Sequence, residues 1–297
     1  MPDRVVAAVV SYNTRELLAR CLTALAGVET WVVDNASRDG SAAMVRERFG
    51  GVHLEARADN LGFGTAVNLA ARRAGDWDWL VLANADTAPE PGALDALLHA
   101  GRRDPGAGAL APRLIRPDGS TQHSAYPFWT VRFALAFNMG VQHRRPGWGD
   151  AQCLEGFWDP ERLRRVPWAI GAFLLVRRAA WDAAGGFDPA QWLYAEDLDL
   201  GWRLRRAGWA TRYVPQARVQ HTESASIGPV WGDAKTERWM AATYDWMLRH
   251  RGAGRTRAVA AINVVGALAR SQRRWARLHA LGLRSRAAVR AKVPWRP

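Results

Sequence analysis

The first hundred or so residues alternate between short apolar runs and amphipathic segments, and this alternation restricts the fold more than any other feature. The apolar runs at 4–10, 30–33, 52–55 and 79–82 predict strands. Four helices are predicted between and after these strands. The first begins at Thr14, the second runs from after Ser37 to Phe49, the third runs from after Gly64 to Arg73, and the fourth begins at Pro89. Strands and helices that alternate about every 20–25 residues are typical of right-handed βαβ units and a parallel sheet.

Polar side chains follow each of these predicted strands. Asn13, Asp34, Asp59 and Asp86 come just after four successive apolar runs. One such residue is usually a helix cap or a turn former. Ligands of parallel sheets bind at the carboxyl ends of the strands, however, where all four residues would meet. The repetition therefore favours a shared polar site at this edge of the sheet.

The pattern changes after residue 105, and the second half of the chain predicts a mixed sheet. Its predicted elements are strands at 108–115 and 168–176, a tight turn at 117–120, an irregular segment at 126–165, helices at 177–184 and 197–207, and short strands around Val214 and Val219. The irregular segment contains Trp129, Trp148 and Trp158, which predict either a platform for a sugar or lipid or ordinary anchors of the core.

Three acidic residues, Glu196, Asp197 and Asp199, lie at the start of the helix predicted at 197–207. Carboxylates near a helix N-terminus are usually capping groups, favoured by the helix dipole. That explanation accounts for one of them, but two adjacent carboxylates after an apolar run are costly without a purpose. A general base that takes a proton from a hydroxyl group needs such a placement.

Taken together, these motifs resemble glycosyltransferase family 2, and most of all its rhamnosyltransferase branch. The motifs that carry the resemblance are Ser11-Tyr12-Asn13, Asp34-Asn35-Ala36-Ser37-Arg38-Asp39-Gly40-Ser41, Asp59-Asn60-Leu61-Gly62-Phe63-Gly64, Asn84-Ala85-Asp86 and Glu196-Asp197-Leu198-Asp199-Leu200. They extend over about three quarters of the chain, and their order and spacing are more specific than any one of them. The resemblance implies a GT-A fold, in which a Rossmann-like, mostly parallel nucleotide-binding sheet merges with a mixed acceptor half.

The resemblance also implies roles for individual residues. Those implied to bind the nucleotide-sugar are Ser11 and Asn13 beneath the nucleotide, Asp34 at its base, Asp59, Asn60 and Gly62 in the loop that closes over it, and Asn84 and Asp86 near the diphosphate. Asn84-Ala85-Asp86 takes the place of the family's Asp-x-Asp metal motif, although its first carboxylate is an amide here. Asp86 would then hold Mg²⁺ or Mn²⁺, with His221 as a further ligand or a phosphate contact; a lone histidine is more often structural.

Asp197 matches the family's catalytic base, with Glu196 as its neighbour. The resemblance implies an inverting enzyme that moves one sugar directly onto an acceptor hydroxyl. The favoured donor is dTDP-rhamnose, and the favoured acceptor is a cell-wall or polysaccharide precursor on a polyprenyl diphosphate. The alternatives are a galactofuranosyl- or N-acetylhexosaminyltransferase that uses a UDP-sugar, or a nucleotide-sugar binding module without catalysis.

The net charge of +13 is concentrated at the end of the chain. Residues 251–297 carry twelve Lys and Arg and no Asp or Glu, so the preceding part has a net charge of +1. Residues 1–250 are close to neutral and contain no known nucleic-acid recognition motif, which argues against nucleic-acid binding. Apolar residues and arginines alternate over 256–293, which predicts amphipathic helices on an anionic membrane surface. The alternative is an ordinary helix packed on the body.

We therefore expect a GT-A domain at 1–250, divided into a nucleotide-sugar half (1–105) and an acceptor half (106–250), followed by a basic helical tail at 251–297. Two cysteines exclude a disulfide framework and a four-cysteine zinc site. No apolar run reaches the roughly 18 residues that a membrane span needs, and the first run is too short for a signal segment. The expected location is cytoplasmic, at the inner face of the plasma membrane.

Overall fold

The computed structural model describes residues 3–222 and 234–293, and in these residues nine strands form one sheet. The strands of the protein are β1 (Val5–Ser11), β2 (Glu29–Asp34), β3 (His53–Ala56), β4 (Trp79–Asn84), β5 (Thr87–Pro89), β6 (Ala107–Ile115), β7 (Ala125–Tyr126), β8 (Arg164–Val166), β9 (Trp168–Ala169), β10 (Phe173–Arg177) and β11 (Ala210–His221). The helices are α1 (Arg15–Ala24), α2 (Ser41–Arg48), α3 (Phe63–Arg73), α4 (Ala93–Arg103), α5 (Val131–Asn138), α6 (Val141–Arg144), α7 (Pro146–Ala151), α8 (Arg178–Ala184), α9 (Glu196–Arg206), α10 (Ala234–His250), α11 (Ala253–Ala269), α12 (Arg273–His279) and α13 (Arg286–Arg290).

The predicted parallel half is confirmed. Strands β3, β2, β1 and β4 lie side by side and run parallel. Val6–Val9 is fully buried, as expected for a strand covered by helices on both faces of the sheet. The register pairs Ser11 with Asp34 and Val10 with Asn84, so the carboxyl ends of three strands meet at one edge.

The predicted mixed half is also confirmed. Strand β10 lies antiparallel between β4 and β6, while β11 runs parallel to β6. Strands β5 and β8 both pair antiparallel with β11. The two halves therefore share one continuous sheet, because β10 joins the last parallel strand to the mixed set.

Four local predictions were wrong. The segment at 126–165 that was expected to be irregular contains three short helices, α5, α6 and α7. Pro89 does not begin a helix: it ends β5, an edge strand where its missing N–H costs no ladder bond, and α4 begins at Ala93. The strand expected at 168–176 is divided, since β9 pairs with β7 in a separate two-stranded sheet and β10 joins the main sheet. The two short strands around Val214 and Val219 are one strand, β11, whose register shifts between Val214 and Arg218.

The C-terminal helices pack against the body and against each other. Their buried side chains form one cluster with residues of α5 and α9; it includes Ala134, Leu198, Met240, Tyr244, Trp246, Met247, Val259, Ala260, Leu281 and Val289. Predicted helix at 256–293 is thus observed as α11, α12, a 3₁₀ turn and α13. The domain boundary expected at residue 250 stays a prediction. Within the described ranges, no helix combines the length and the apolar character needed to cross a membrane.

Candidate active site

A cavity of about 910 Å³ opens at the carboxyl ends of the parallel strands. This volume is within the range typical of sites for small molecules and cofactors. Seven of the residues singled out from the sequence line it: Asn60, Gly62, Asn84, Asp86, Glu196, Asp197 and His221. These seven come from the loop after β3, from the end of β4 and the turn after it, from α9 and from the end of β11, so the fold collects widely separated motifs in one place.

The other four predicted residues lie outside the cavity lining. Ser11 is fully buried, and its hydroxyl is 3.2 Å from the hydroxyl of Thr14, which does line the cavity. The Asn13 side chain accepts a hydrogen bond from the Arg38 main chain (2.7 Å) and so ties the loop after β1 to the loop after β2. Asp59 is half exposed and pairs with Arg57 at 3.3 Å.

Asp34 is buried beside the cavity rather than in its lining. Its Oδ1 accepts a hydrogen bond from the Ser37 amide at 2.9 Å. Its Oδ2 is also buried, and it has no hydrogen-bond partner among the described residues. A buried carboxylate oxygen without a donor is costly, and a ligand N–H is one way to satisfy it. The next residue, Asn35, lines the cavity directly.

The loop from Asp59 to Gly64 is held against the segment that precedes α9. Trp192 donates a hydrogen bond from Nε1 to the Asn60 carbonyl oxygen at 3.1 Å. Asn35 braces the same loop, because its side chain accepts from the Leu61 amide and donates to the Gly62 carbonyl oxygen, both at 3.3 Å. The nucleotide-side loops and the acidic motif are therefore fixed relative to one another.

Asp86 and His221 face each other in the cavity wall. Both side chains are buried, and His221 Nε2 is 3.4 Å from Asp86 Oδ1, an oxygen with no hydrogen-bond partner in the described part of the chain. His221 Nδ1 is 2.6 Å from Gln122 Oε1. Since an amide oxygen only accepts, Nδ1 donates this hydrogen bond, and in a neutral imidazole the lone pair is then on Nε2, the nitrogen nearer Asp86.

This pair fits a divalent cation of the Mg²⁺ or Mn²⁺ type. An orphaned carboxylate oxygen and an imidazole nitrogen, fixed in its tautomer by an outer partner, are suitable ligands. Over residues 3–222 and 234–293, no group of three or more His, Cys, Asp or Glu side chains gathers into a metal site. A cation held here would therefore need oxygens from a substrate or from water to complete its coordination.

Asp197 lies in the first turn of α9, at the wall of the cavity. Its Oδ2 accepts a hydrogen bond from the Gly171 amide at 3.1 Å, and its Oδ1 accepts one from the Leu198 amide at 2.7 Å. Burial nevertheless raises the pKa of Asp197 above its ordinary value. A carboxylate with a raised pKa is a stronger base than an exposed one, which suits it to accept a proton.

Glu196 is buried next to Asp197. Burial, followed by the negative charge of Asp197, raises its pKa to about 8. The two preceding residues, Tyr194 and Ala195, both have a φ of 64°, in the left-handed region that residues other than glycine rarely adopt. Strained backbone of this kind persists where the surrounding structure enforces it, often at active sites. The strain places the two carboxylates at the helix start.

Asp199 is the third acid of the motif, and it anchors α9 rather than lining the cavity. It is fully buried and accepts hydrogen bonds from Trp246 Nε1 at 2.9 Å and from Arg203 Nε at 2.8 Å. Trp246 belongs to α10, so Asp199 ties the helix of the acidic motif to the C-terminal helices. The sequence pattern did not separate this structural acid from its two neighbours.

Part of the cavity wall is aromatic and basic, and sequence reasoning missed it. Its lining residues there are Tyr126, Trp168, Lys235, Arg238, Trp239 and Trp275. The three tryptophans considered earlier are absent from the cavity lining and pack on other rings instead: Trp129 contacts Phe133 edge to face, Trp148 stacks on Phe133, and Trp158 packs on Tyr213. A regular helical spacing of Lys235, Arg238 and Trp239 was the only available signal, and it does not distinguish a cavity wall from a solvated helix face.

The sequence of this chain is similar to those of known glycosyltransferases. A family model described as glycosyltransferase-like family 2 matches residues 2–242. The N-acetylglucosaminyl-diphospho-decaprenol L-rhamnosyltransferase of Mycobacterium tuberculosis (strain ATCC 25618 / H37Rv) is 38% identical over 244 residues, 77% of this chain and 79% of that protein. The pre-mycofactocin glycosyltransferase of the same strain is 30% identical over 224 residues, 72% of this chain and 42% of that protein.

Solved structures show the same fold. The mannosyltransferase PcManGT from Pyrobaculum calidifontis, in complex with GDP-Man and Mn²⁺, has a TM-score of 0.57 at 16% identity and covers 99% of this chain and 88% of its own. GalNAc-T7 with UDP, GalNAc and Mn²⁺ has a TM-score of 0.56 at 15% identity, with 82% and 51% covered. The predicted GT-A fold is confirmed. The match over residues 2–242 and the 38% identity over most of both chains lead to one conclusion: this chain belongs to glycosyltransferase-like family 2 and is a glycosyltransferase.

Proposed function

We propose that the protein transfers one rhamnosyl residue from dTDP-rhamnose to a hydroxyl group of a glycan precursor carried on a polyprenyl diphosphate, with inversion at the anomeric carbon. The observation that carries this proposal is the position of Asp197, a carboxylate of raised pKa in the same cavity as the Asp86–His221 pair. The name of the 38% identical relative supports rhamnose as the sugar and a diphosphate-linked lipid as the acceptor.

Asp197 is the general base of this proposal. As the acceptor oxygen attacks the anomeric carbon, the acceptor proton passes to a carboxylate oxygen of Asp197, and the bond from the anomeric carbon to the donor phosphate breaks on the opposite side. The amides of Gly171 and Leu198 orient the carboxylate, and each oxygen keeps a lone pair for the proton. Direct displacement of this kind inverts the configuration.

Asp86 and His221 are the proposed ligands of Mg²⁺ or Mn²⁺. Such a cation, when bound, neutralises the charge of the departing nucleoside diphosphate. Gln122 holds the His221 tautomer that leaves Nε2 free for the cation. Asn84, which lines the cavity two residues earlier, is proposed as a neutral contact of the diphosphate.

The nucleotide is proposed to lie over the loops after β1, β2 and β3. Asp34 offers one buried oxygen without a partner in the described residues, which suits an N–H group of a pyrimidine base. Ser11, Asn13 and Asp59 would act indirectly, because their side chains support the loops rather than line the cavity. Asn60 and Gly62 line it and would contact the nucleotide-sugar directly.

The acceptor is proposed to enter along the aromatic and basic part of the cavity wall. Lys235 and Arg238 supply positive charge for a diphosphate, and Trp239 and Trp275 supply apolar faces for a sugar or the first prenyl units. Location at the inner face of the plasma membrane is part of this proposal, since a polyprenyl-linked acceptor resides in a bilayer.

A donor panel tests the proposal. The purified protein is incubated with Mn²⁺, N-acetylglucosaminyl diphosphate on a polyprenyl chain, and in turn dTDP-rhamnose, UDP-galactofuranose and a UDP-N-acetylhexosamine. We expect a glycosylated product and nucleotide release only with dTDP-rhamnose. Product from a UDP-sugar alone would replace the donor assignment, and donor binding without any product would favour a binding module.

A further inference from the structure

Helices α5 and α11 together present an exposed apolar surface, which we call the α5–α11 face. Leu135 and Met139 of α5 are 45% and 65% exposed, and Val265 and Leu268 of α11 are 67% and 54% exposed. Residues 258–269 of α11 contain no charged side chain, and its outward positions are occupied by alanine, valine and leucine. In the described ranges, these side chains point away from the core that holds the opposite side of α11.

The two helices form one rigid surface rather than a loosely attached tail. Asn138 donates a hydrogen bond to Asn263 Oδ1 at 2.8 Å and accepts one from Arg270 at 3.0 Å. Gly266 lies so close to Asn138 that a Cβ at position 266 would overlap its side chain. Such a close approach of backbone to side chain fixes the relative position of the helices, so the exposed side chains of both act together.

The charged side chains of the two segments that build this face have a single sign. Neither of the two segments that build it, 119–149 and 246–297, contains an Asp or Glu. Their exposed cations include Arg132, Arg144 and Arg145 near α5, and Arg255, Arg257, Arg270, Arg273, Arg274 and Arg277 near α11 and α12. Two copies of the chain that joined through this face would bring like charges together, so the surface is not suited to self-association.

The face also borders the cavity. Trp275 lies in α12, is 41% exposed and lines the active-site cavity. Leu268 of α11 shares a surface groove with Arg273, Ala276 and Arg277 of α12. The apolar face, the arginines and the aromatic and basic part of the cavity wall are therefore connected through α12.

We propose that the α5–α11 face docks the protein on an anionic lipid surface, with Leu135, Met139, Val265 and Leu268 in the headgroup region and the arginines on lipid phosphates. The apolar side chains suit the boundary between headgroups and acyl chains, and the arginines beside them suit anionic headgroups. Docking would hold Trp275 and this part of the cavity wall at the bilayer. The role in acceptor delivery rests on the proposed function, whereas lipid binding itself does not.

The test is sedimentation of the full-length protein with vesicles of phosphatidylcholine alone or with phosphatidylglycerol. The double variant Val265→Glu/Leu268→Glu is compared with Leu163→Glu, which alters a 55% exposed leucine outside the face. We expect the wild type and Leu163→Glu to sediment with anionic vesicles at low salt, and the double variant to bind at least ten-fold more weakly. Arg273→Gln/Arg274→Gln is expected to weaken binding and its dependence on salt.

The altered side chains are exposed, so we expect every variant to fold. Nucleotide binding, measured for every variant, checks that the fold is intact. Equal sedimentation of the double variant and wild type would overturn the proposal, as would a wild type that never binds anionic vesicles. A dimer of the wild type that the double variant loses would also overturn it. Turnover with a short-chain, water-soluble acceptor reports on the proposed function separately: it is expected to be unchanged in the double variant.

Discussion

Gly62 approaches the main chain of Trp192 so closely that a Cβ at position 62 would lie 2.1 Å from the Trp192 carbonyl oxygen. Gly62 also has a φ of 76°, which residues with a side chain rarely adopt. Two independent constraints therefore exclude any other residue at this point. The contact joins the nucleotide-side loop to the segment that leads into Glu196 and Asp197, so its loss affects both sides of the cavity.

Left-handed backbone costs a residue with a side chain about 1–2 kcal/mol, and the overlap with Trp192 adds to this cost. Gly62→Ala is therefore expected to lower the free energy of unfolding by more than about 2 kcal/mol and to weaken nucleotide binding. Gly27→Ala is the matched control, because Gly27 has a φ of 87° but open space around it. Urea unfolding and titration with dTDP measure both effects. Equal losses in the two variants would show that the contact with Trp192 contributes nothing beyond backbone strain.

Gln122→Leu tests the outer partner of the proposed metal ligand. Without the Gln122 oxygen, His221 is no longer fixed in the tautomer with a free Nε2, so affinity for Mn²⁺ should fall about 10–100-fold. Calorimetric titration of Mn²⁺ in the presence of dTDP measures this, and Asp86→Ala should abolish the metal dependence. Gln142→Leu, at a buried glutamine of α6, serves as the control. Unchanged Mn²⁺ affinity in Gln122→Leu would contradict the assignment.

The raised pKa of Glu196 predicts that the stability of the fold depends on pH. Its pKa is raised to about 8, so the folded state holds a proton that the unfolded state releases near the ordinary value of 4.5. This contribution to stability is complete below 4.5 and is lost as the pH rises through 8. The melting temperature of the wild type should fall by several degrees over this window, and that of Glu196→Gln should fall less. Parallel profiles would contradict the raised pKa.

Asp245 ties the last helix to α10. Its fully buried carboxylate pairs with Arg286 at 3.1 Å, Arg249 at 3.3 Å and Arg290 at 3.4 Å. Asp245→Asn should lower the free energy of unfolding by about 2 kcal/mol, the scale of a hydrogen bond between charged groups. Asp182→Asn, which breaks an exposed pair with Arg178, should cost less than about 1 kcal/mol. Urea unfolding distinguishes the two.

The sequence predicted the parallel half well because its strands are short apolar runs that each end in a polar residue. The observed register pairs Val10 with Asn84, which lies at the edge where the polar residues were expected to meet. Asp197 was also found from the sequence, through its place in a motif. These features are local, so a periodicity or a short motif contains most of the information about them.

Features that depend on distant contacts could not be predicted. Gln122 reaches His221 from a part of the chain about a hundred residues away, and no local pattern marks it. Pro89 was assigned to a helix because prolines often begin helices, whereas pairing with β11 makes it the end of a strand. Several apolar residues of the tail pack inward, and only the structure separates buried Val259 from exposed Val265.

The most direct test of the account is the turnover of Asp197→Asn with dTDP-rhamnose and the polyprenyl-linked acceptor. Asparagine keeps the size of the side chain, and its single oxygen can accept a hydrogen bond from either the Gly171 or the Leu198 amide, but it cannot accept the proton. We expect a rate of rhamnosyl transfer about 10²–10⁴-fold below that of the wild type, with dTDP affinity unchanged. Near-native transfer by Asp197→Asn would contradict the assignment of Asp197 as the base.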